Sequence, residues 1–471
     1  MDHDIYDEAD SFRDSISTIS KDGNRNWIFP KQPKGRYYNR RTLLSYLLLA
    51  IMFVGPFIKL NGHPFMLLNV VERKFILFGI AFWPQDFYLF VLAMLTFVVF
   101  IIVFTALFGR LWCGWACPQT IFMEMVFRKI EYWIEGDAVQ QKALKNAPPS
   151  AAKFRKRFLK ASIFFLISFI IANTFLAYII GIDQLKHIVF DNPSNHLGGL
   201  FTILAFTFVF FAVYMRFREQ ACLIVCPYGR LQGVLLDKNS VVIAYDYKRG
   251  EPRGKLSKTG ESKFGDCIDC HQCVNVCPTG IDIRNGTQLE CVNCTACIDA
   301  CDTIMDKINK PKGLVRYTSE NAIADGTKFK ITGRIKAYSF VLFLLLTTLI
   351  SLLIMRSDVE STILRTPGMI YQQQNDSVYS NLYTVNLINK TFDKMPVEIR
   401  MVSPKGSVKW IGNGITKLDE QGSADGEFFI MINQKEIVTA RMPIVLELRS
   451  GNKVLEKIKT NFIGPVKIKK P

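Results

Sequence analysis

The chemistry in this chain is concentrated in its cysteines. Eight of them form two runs, Cys267-Ile-Asp-Cys270-His-Gln-Cys273-Val-Asn-Val-Cys277-Pro278 and Cys291-Val-Asn-Cys294-Thr-Ala-Cys297-Ile-Asp-Ala-Cys301. Each run reads C-x2-C-x2-C-x3-C. With this spacing three close thiolates bind three irons of one [4Fe–4S] cube, while the fourth reaches across to a second cube. The pattern predicts Cys267, Cys270, Cys273 and Cys301 as ligands of one cluster, and Cys291, Cys294, Cys297 and Cys277 as ligands of the other. Soft thiolates also take zinc, but structural zinc sites draw their ligands as separated pairs rather than tight triplets. Pro278 follows the first run, whereas Asp302 stands where a second proline is expected, a change confined to the exit turn.

A second set of cysteines recurs as a repeat. Gly109-Arg110-Leu-Trp112-Cys113-Gly-Trp115-Ala-Cys117-Pro118 and Arg218-Glu-Gln-Ala-Cys222-Leu-Ile-Val-Cys226-Pro227 both place an Arg before C-x3-C-P at the end of an apolar run. On a helix, residues i and i+4 share a face, so Cys113 with Cys117 and Cys222 with Cys226 form candidate redox or metal pairs. Each proline suits the first turn of a following helix. Three uses stay open for these pairs: binding a soft ion such as Cu(I), dithiol redox chemistry, or plain packing at a tight junction. If the two pairs converge, they make a four-thiolate site. Arg110 and Arg218 read as interfacial anchors.

These motifs need a scaffold, and the composition says which kind. The 471 residues include 37 Phe and carry a net charge of +17. The basic residues lie beside long apolar runs, as in a membrane protein obeying the positive-inside rule, which argues against nucleic-acid binding. Five apolar stretches approach the roughly 20 residues needed to span hydrocarbon: 43–60, cut short by Gly55-Pro56, then 87–108, 161–182, 197–215 and 337–355. The intervening stretch from His63 to Pro84 carries Glu72, Arg73 and Lys74 and reads as an interfacial or re-entrant helix, because charge at mid-bilayer is costly.

Basic loops place the N-terminus and the cluster runs in the cytoplasm, where thiols stay reduced and disulfides are disfavoured. Five crossings then place the C-terminus in the periplasm. Beyond residue 356 no cysteine occurs, and short alternating runs such as Tyr383–Ile388, Val397–Val402, Phe428–Ile432, Ile444–Leu448 and Lys457–Phe462 are separated by turn signals at 403–406, 412–414 and 422–426. This is the pattern of an antiparallel sandwich.

The expected architecture is a membrane α-helical protein of about five spans, with a cytoplasmic two-cluster bacterial-ferredoxin insert and a C-terminal all-β immunoglobulin-like sandwich. Its divisions are a tail at 1–42, a four-helix membrane region at 43–236, the ferredoxin-type domain at 237–336, a fifth span at 337–355 and the sandwich at 356–471. Of the five histidines, His63, His187 and His196 fall on the outer side and His271 between cluster ligands; solvation or packing is the ordinary use of each.

The combination of 112–120, Cys226-Pro-Tyr-Gly-Arg-Leu-Gln232 and the stretch from Cys277 to Cys291 resembles the cytochrome c oxidase accessory protein family CcoG, also called FixG or RdxA. The membrane half alone is also similar to NapH-type quinol dehydrogenases, which lack the sandwich. The resemblance implies an inner-membrane protein with two [4Fe–4S] clusters that reduces Cu(II) to Cu(I) for a cbb(3)-type oxidase. It carries the pair motif onto Cys113, Cys117, Cys222 and Cys226. The expected partners are the membrane, copper ion, oxidase subunits or assembly factors, and a donor that is either quinol or a cytoplasmic reductant. The rival readings are a quinol dehydrogenase indifferent to copper and a non-enzymatic assembly scaffold.

Overall fold

In lipid every backbone amide must be paired within its own segment, and this condition shapes the longest elements of the chain. The computed structural model describes residues 17–20, 22–60, 62–70, 74–192, 194, 196–255, 264–326, 331–375 and 377–465. Among them, five helices are long and apolar enough to cross a membrane: Arg36–Phe57, Pro84–Phe108, Ala151–Ile180, Leu197–Phe217 and Gly333–Ile354. The first, third and fifth begin several residues before the apolar runs read from the sequence. Hydropathy marks only the hydrocarbon part of a helix, while Arg and Lys extend it into the polar region with their stems on apolar surface. The first helix ends at Val54, and a 3-10 turn over Gly55–Phe57 follows. A side chain at Gly55 would collide with the ring of Tyr178, whose hydroxyl donates to the Met52 carbonyl at 2.9 Å.

The chain forms two compact units, Met1–Phe57 with Leu92–Thr347 and Ile58–Val91 with Thr348–Pro471. The first contains most of the long-helix residues and all the cysteines. Phe127, wholly buried, stacks on Tyr214 at 4.3 Å and meets Phe164 edge-on at 4.7 Å. The cluster-run segment is built on an antiparallel pair, Val242–Tyr245 with Val315–Thr318, and on the helix Ala296–Lys307. Ile243, Ile283, Ile298, Met305 and Leu314 form its small core.

The second unit is the sandwich. One antiparallel sheet runs Gly406–Trp410, Ser423–Asn433, Val378–Asn389, Val359–Arg365; the other runs Glu398–Ser403, Arg441–Ser450, Lys453–Ile463. The alternation read in the sequence is the core: Tyr383, Leu387, Phe428, Ile430, Ile444, Leu446 and Phe462 are all fully buried. Tyr383 donates to the Asn461 carbonyl at 2.8 Å and ties the sheets together. The turn expected at 422–426 is instead mostly strand. Gly426 pairs with Val385 inside it, and the absent side chain leaves room for the rings of Trp410 and the methyls of Ile415.

Among its described residues the stretch 63–84 forms strands up to Phe82 rather than a helix, and Pro84 opens the turn that leads into the second long helix. Met66–Asn69, Lys74–Leu77 and Ile80–Phe82 form a three-stranded antiparallel sheet belonging to the same unit as the sandwich. The last hairpin turns on Phe78 and Gly79, both at positive φ (53° and 76°), the geometry of a tight two-residue turn. Glu72 and Arg73 lie outside the described residues. Asp86, almost completely buried, receives Lys390 at 2.6 Å and Arg356 at 2.8 Å. Lys390 also pairs with Glu360 at 2.7 Å. Removing one member of a buried charge group strands the others and costs about 3–5 kcal/mol. Asp86→Ala is therefore expected to lower the melting temperature of the purified chain by several degrees, whereas Asp358→Ala, at an exposed pair, leaves it unchanged.

Candidate functional site

The two cysteine runs fold alike. In the first, Asp269 and His271 take left-handed backbone conformations, with φ of 53° and 54°; in the second, Asn293 and Thr295 do so at equivalent positions, with φ of 53° and 68°. Alternating the backbone in this way curls the chain into a concave turn with its amides pointing inward, a setting for anionic sulfur. A short helix then begins at Gln272 and a longer one at Ala296.

The runs surround two separate cavities. Cys267, Cys270, Cys273 and Cys301 line one. Cys277, Cys291, Cys294 and Cys297 line the other, with Cys273 also on its wall. The fourth cysteine of each run thus faces the triplet of the other, the crossed grouping expected from the spacing. Among the described residues, no three Cys, His, Asp or Glu side chains close around a point that could hold a single ion. Quartets arranged around a cavity suit a polynuclear cluster and not a lone zinc. Burial pushes the thiols of Cys273, Cys291 and Cys301 up to about 12, so a strong cationic group is needed to hold them as thiolates. The donor set fits iron–sulfur clusters.

The two cavities carry different surroundings. At the first, Arg284 is buried beside the cysteines and donates to Asp269 at 2.5 Å, to Asp282 at 2.6 Å, and meets His271 Nδ1 at 2.9 Å. The hydrogen bond to Asp282 raises the Arg284 pKa, so the guanidinium is permanently charged. His271 thus lines the first cavity. At the second cavity, the equivalent loop residues Asn293 and Thr295 are neutral. Cys270 is exposed, whereas Cys294 is buried.

The cysteine pairs depart from the one-face reading. Cys113 lies in the short helix Leu111–Trp115, but Cys117 is in extended conformation (φ −61°, ψ 123°) ahead of the helix that starts at Pro118. Cys222 lies in a wide helical turn, Ala221–Val225, and Cys226 is extended (φ −70°, ψ 112°) ahead of Pro227. Each helix is interrupted before its second cysteine, because the proline that opens the next helix disfavours helical backbone in the preceding residue. In both copies the second cysteine is extended ahead of the proline, and Cys113 and Cys222 each lie within electrostatic reach of the other three thiols. They do not form a single-ion site with three or more ligands. Burial pushes Cys113 up to about 11 and Cys222 up to about 12.

One contact joins the pairs to the cluster runs. A methyl group on Gly114 would stand 2.5 Å from the Val292 carbonyl oxygen and 2.7 Å from that of Asn293, so Cys113-Gly114 rests directly on the loop between Cys291 and Cys294. Cys113 packs there with Val292, Cys294 and Ala296. Arg41 Nε donates to the Gly114 carbonyl at 2.6 Å, and Trp115 Nε1 reaches the Tyr317 hydroxyl, which donates to the Asn293 carbonyl.

Arg110 and Arg218 are both buried and are not interfacial anchors. Arg110 Nε donates to Gln232 at 3.0 Å, and its guanidinium also reaches the Leu289 carbonyl. The Cys113 thiol meets the same Gln232 oxygen at 3.2 Å. Arg218 makes a bidentate pair with Glu131 at 2.9 and 3.1 Å. Around it, Arg128 pairs with Glu124 at 3.1 Å, Arg25 with Glu219 at 3.1 Å and Lys160 with Glu135 at 2.8 Å. This network had no motif in the sequence; its only signal is the number of acidic residues among the basic ones near 124–135. His63 stacks on Phe392 at 4.2 Å, His187 lies on the helix Ile182–Phe190 and His196 pairs with Asp191 at 3.1 Å.

Fold and site together define a multi-helix iron–sulfur electron-transfer protein. The comparisons with known proteins agree. Residues 217–320 match the model of a 4Fe-4S dicluster domain, residues 90–136 that of a 4Fe-4S binding domain, and residues 349–465 that of the IG-like fold at the C-terminal of FixG. Protein RdxB of Cereibacter sphaeroides is 34% identical over 82% of this chain and 84% of its own length. Protein RdxA of the same organism is 35% identical over 78% and 80%. Nitrogen fixation protein FixG of Rhizobium meliloti is 37% identical over 63% of this chain and 57% of its own length. The chain belongs to the FixG/RdxA family.

Two outcomes are expected. Gly114→Val, which cannot fit against backbone, should reduce the iron bound per chain at least severalfold, measured by iron and acid-labile sulfide analysis. Arg284→Gln removes a fixed positive charge from the first cavity. It should lower the midpoint potential of one iron–sulfur signal and leave the other in place in an EPR-monitored redox titration.

Proposed function

We propose that this protein is a cupric reductase of the cytoplasmic membrane that supplies Cu(I) for assembly of a cbb(3)-type cytochrome c oxidase. The observation that carries the reading is the seating of Cys113-Gly114 on the Cys291–Cys294 loop, which makes the paired cysteines neighbours of a candidate cluster site. In this reading Cys267, Cys270, Cys273 and Cys301 hold one [4Fe–4S] cluster and Cys291, Cys294, Cys297 and Cys277 the other. Bound clusters supply one-electron storage at potentials set by burial and nearby charge.

The paired cysteines handle the substrate. The pairs Cys113 with Cys117 and Cys222 with Cys226 each offer a two-thiolate site for Cu(II), which takes up one electron to become Cu(I). Thiolates hold the reduced ion better than the oxidised one. Their buried protons must leave as copper binds, since the ion displaces them from sulfur. Gln232, shared by Arg110 and the Cys113 thiol, orients that cysteine. Division of labour follows the sequence: a tail at 1–42, a membrane region at 43–236, a cluster domain at 237–336 in the cytoplasm, a span at 337–355 and a periplasmic domain at 356–471 that meets oxidase subunits or assembly factors. The basic loops support this orientation.

The test is anaerobic mixing of the dithionite-reduced, desalted protein with Cu(II) and a Cu(I)-specific chelator. Copper-dependent bleaching with stoichiometric Cu(I) is the expected result; no bleaching would overturn the proposal. Cys113→Ser with Cys226→Ser should slow Cu(I) formation at least tenfold with iron content unchanged. Cys267→Ser should instead lose iron. Oxidase assembly that survives Cys267→Ser with Cys291→Ser would favour a scaffold.

A further inference from the structure

A cavity of about 390 Å³ lies beside the second cysteine run, outside everything assigned above. Its walls come from Leu236–Lys238, Ser240 and Val242 on one side and Thr287–Glu290 on the other. The second wall runs directly into Cys291. The first follows the helix Pro227–Leu235, which begins immediately after Cys226.

The location fixes what can reach it. Ser240 Oγ donates to the Ala106 carbonyl at 2.8 Å, and the Val241 amide donates to the Leu107 carbonyl at 3.0 Å, both at the last turn of the second long helix. Arg334, at the start of the fifth, donates to the Leu235 carbonyl at 3.2 Å and pairs with Asp237 at 3.1 Å. The cavity is therefore level with the polar ends of two membrane helices. Leu231, Val234 and Leu289 beside it are exposed, Val234 at 83%, which gives an apolar approach from the bilayer surface.

The lining limits the ligand further. Of the lining acids, Asp237 pairs with Arg334 at 3.1 Å and Glu320 with Lys238 at 3.8 Å, so Glu290 supplies the unbalanced negative charge, which disfavours phosphate headgroups and nucleotides. The carboxylates accept hydrogen bonds from ligand hydroxyl groups and Lys238 is the wall's donor to a carbonyl oxygen, while Gln288 Nε2 is committed to the Asp282 carbonyl. Apolar contact comes from Leu236, Val242 and Leu289. The volume is in the range of small-molecule sites.

We propose that this cavity binds the head group of a membrane quinol, and so names the electron donor for the reading given above, on which it rests: oxidation of the quinol to the quinone releases two electrons, enough for two Cu(II), and two protons, which leave through Glu290 and solvent. A neutral, lipid-soluble ring with two hydroxyl groups satisfies each condition at once: approach through the bilayer, hydrogen bonding without negative charge, and proximity to a redox site.

Binding is measured without turnover. The full chain in nanodiscs is titrated with tritiated decylubiquinone, with empty nanodiscs as the partition blank. Saturable binding of about one equivalent per chain is expected. Leu236→Trp and Thr287→Trp, which fill the cavity from opposite walls, should each weaken it at least tenfold, and Glu290→Gln several-fold, with iron content as the check on folding. Non-saturable partition equal to the blank, or saturable binding untouched by both tryptophan variants, would overturn the site. Cu(II) reduction by dithionite-reduced protein is scored separately: its loss with quinone binding intact removes copper as the acceptor and leaves the cavity assignment standing.

Discussion

The structure turns on backbone meeting backbone at Gly114. Two polar main-chain surfaces can approach this closely only where one of them has no side chain, and here the contact lies between the end of a membrane helix and the loop that carries Cys291 and Cys294. Three further links surround it. Arg41 holds the Gly114 carbonyl from the first helix, Trp115 and Tyr317 bridge to Asn293, and Arg110 reaches Leu289. The iron–sulfur segment is thereby fastened to its membrane base by short, direct contacts at the second cavity, and the Tyr37 and Tyr38 amides add a hold on Asp299, two residues before Cys301.

Beneath that junction lies the buried set of charges built from Arg128, Arg218, Glu124, Glu131 and Glu219. Removing charges from water is costly, and a group of this kind holds together only when its members are mutually paired. It is a poor source of stability compared with the Phe127–Tyr214–Phe164 cluster next to it. Its effect is geometric. Arg218 is locked by Glu131 at a positive φ of 55°, which sets the wide turn that carries Cys222. The charges therefore place the second cysteine pair.

The sequence was most readable where chemistry or a strict period constrains residue type. The cysteine spacing foretold which thiols would share a cavity, because the crossed arrangement follows from three close residues and one distant one. Pro118 and Pro227 announced new helices, and two-residue alternation outlined the sandwich strands from Tyr383 to Phe462. The strands between His63 and Pro84 are hidden in the sequence because adjacent charges in an apolar background suggest an interfacial helix, and the Phe78-Gly79 turn is too short a signal to outweigh it. The break between Cys113 and Cys117 escaped because spacing alone cannot tell one helix from two. Arg110 and Arg218 looked like surface residues, since nothing local reveals a distant glutamine, carbonyl or glutamate that makes burial tolerable.

The unequal exposure of the two runs bears on how the molecule ages. Cys270 stands at the surface while Cys294 is enclosed between the loop and the membrane base. Dioxygen and peroxide attack iron–sulfur centres from the side they can reach, and Cys270 is the exposed cysteine of the two runs, so oxidants meet the chain there first.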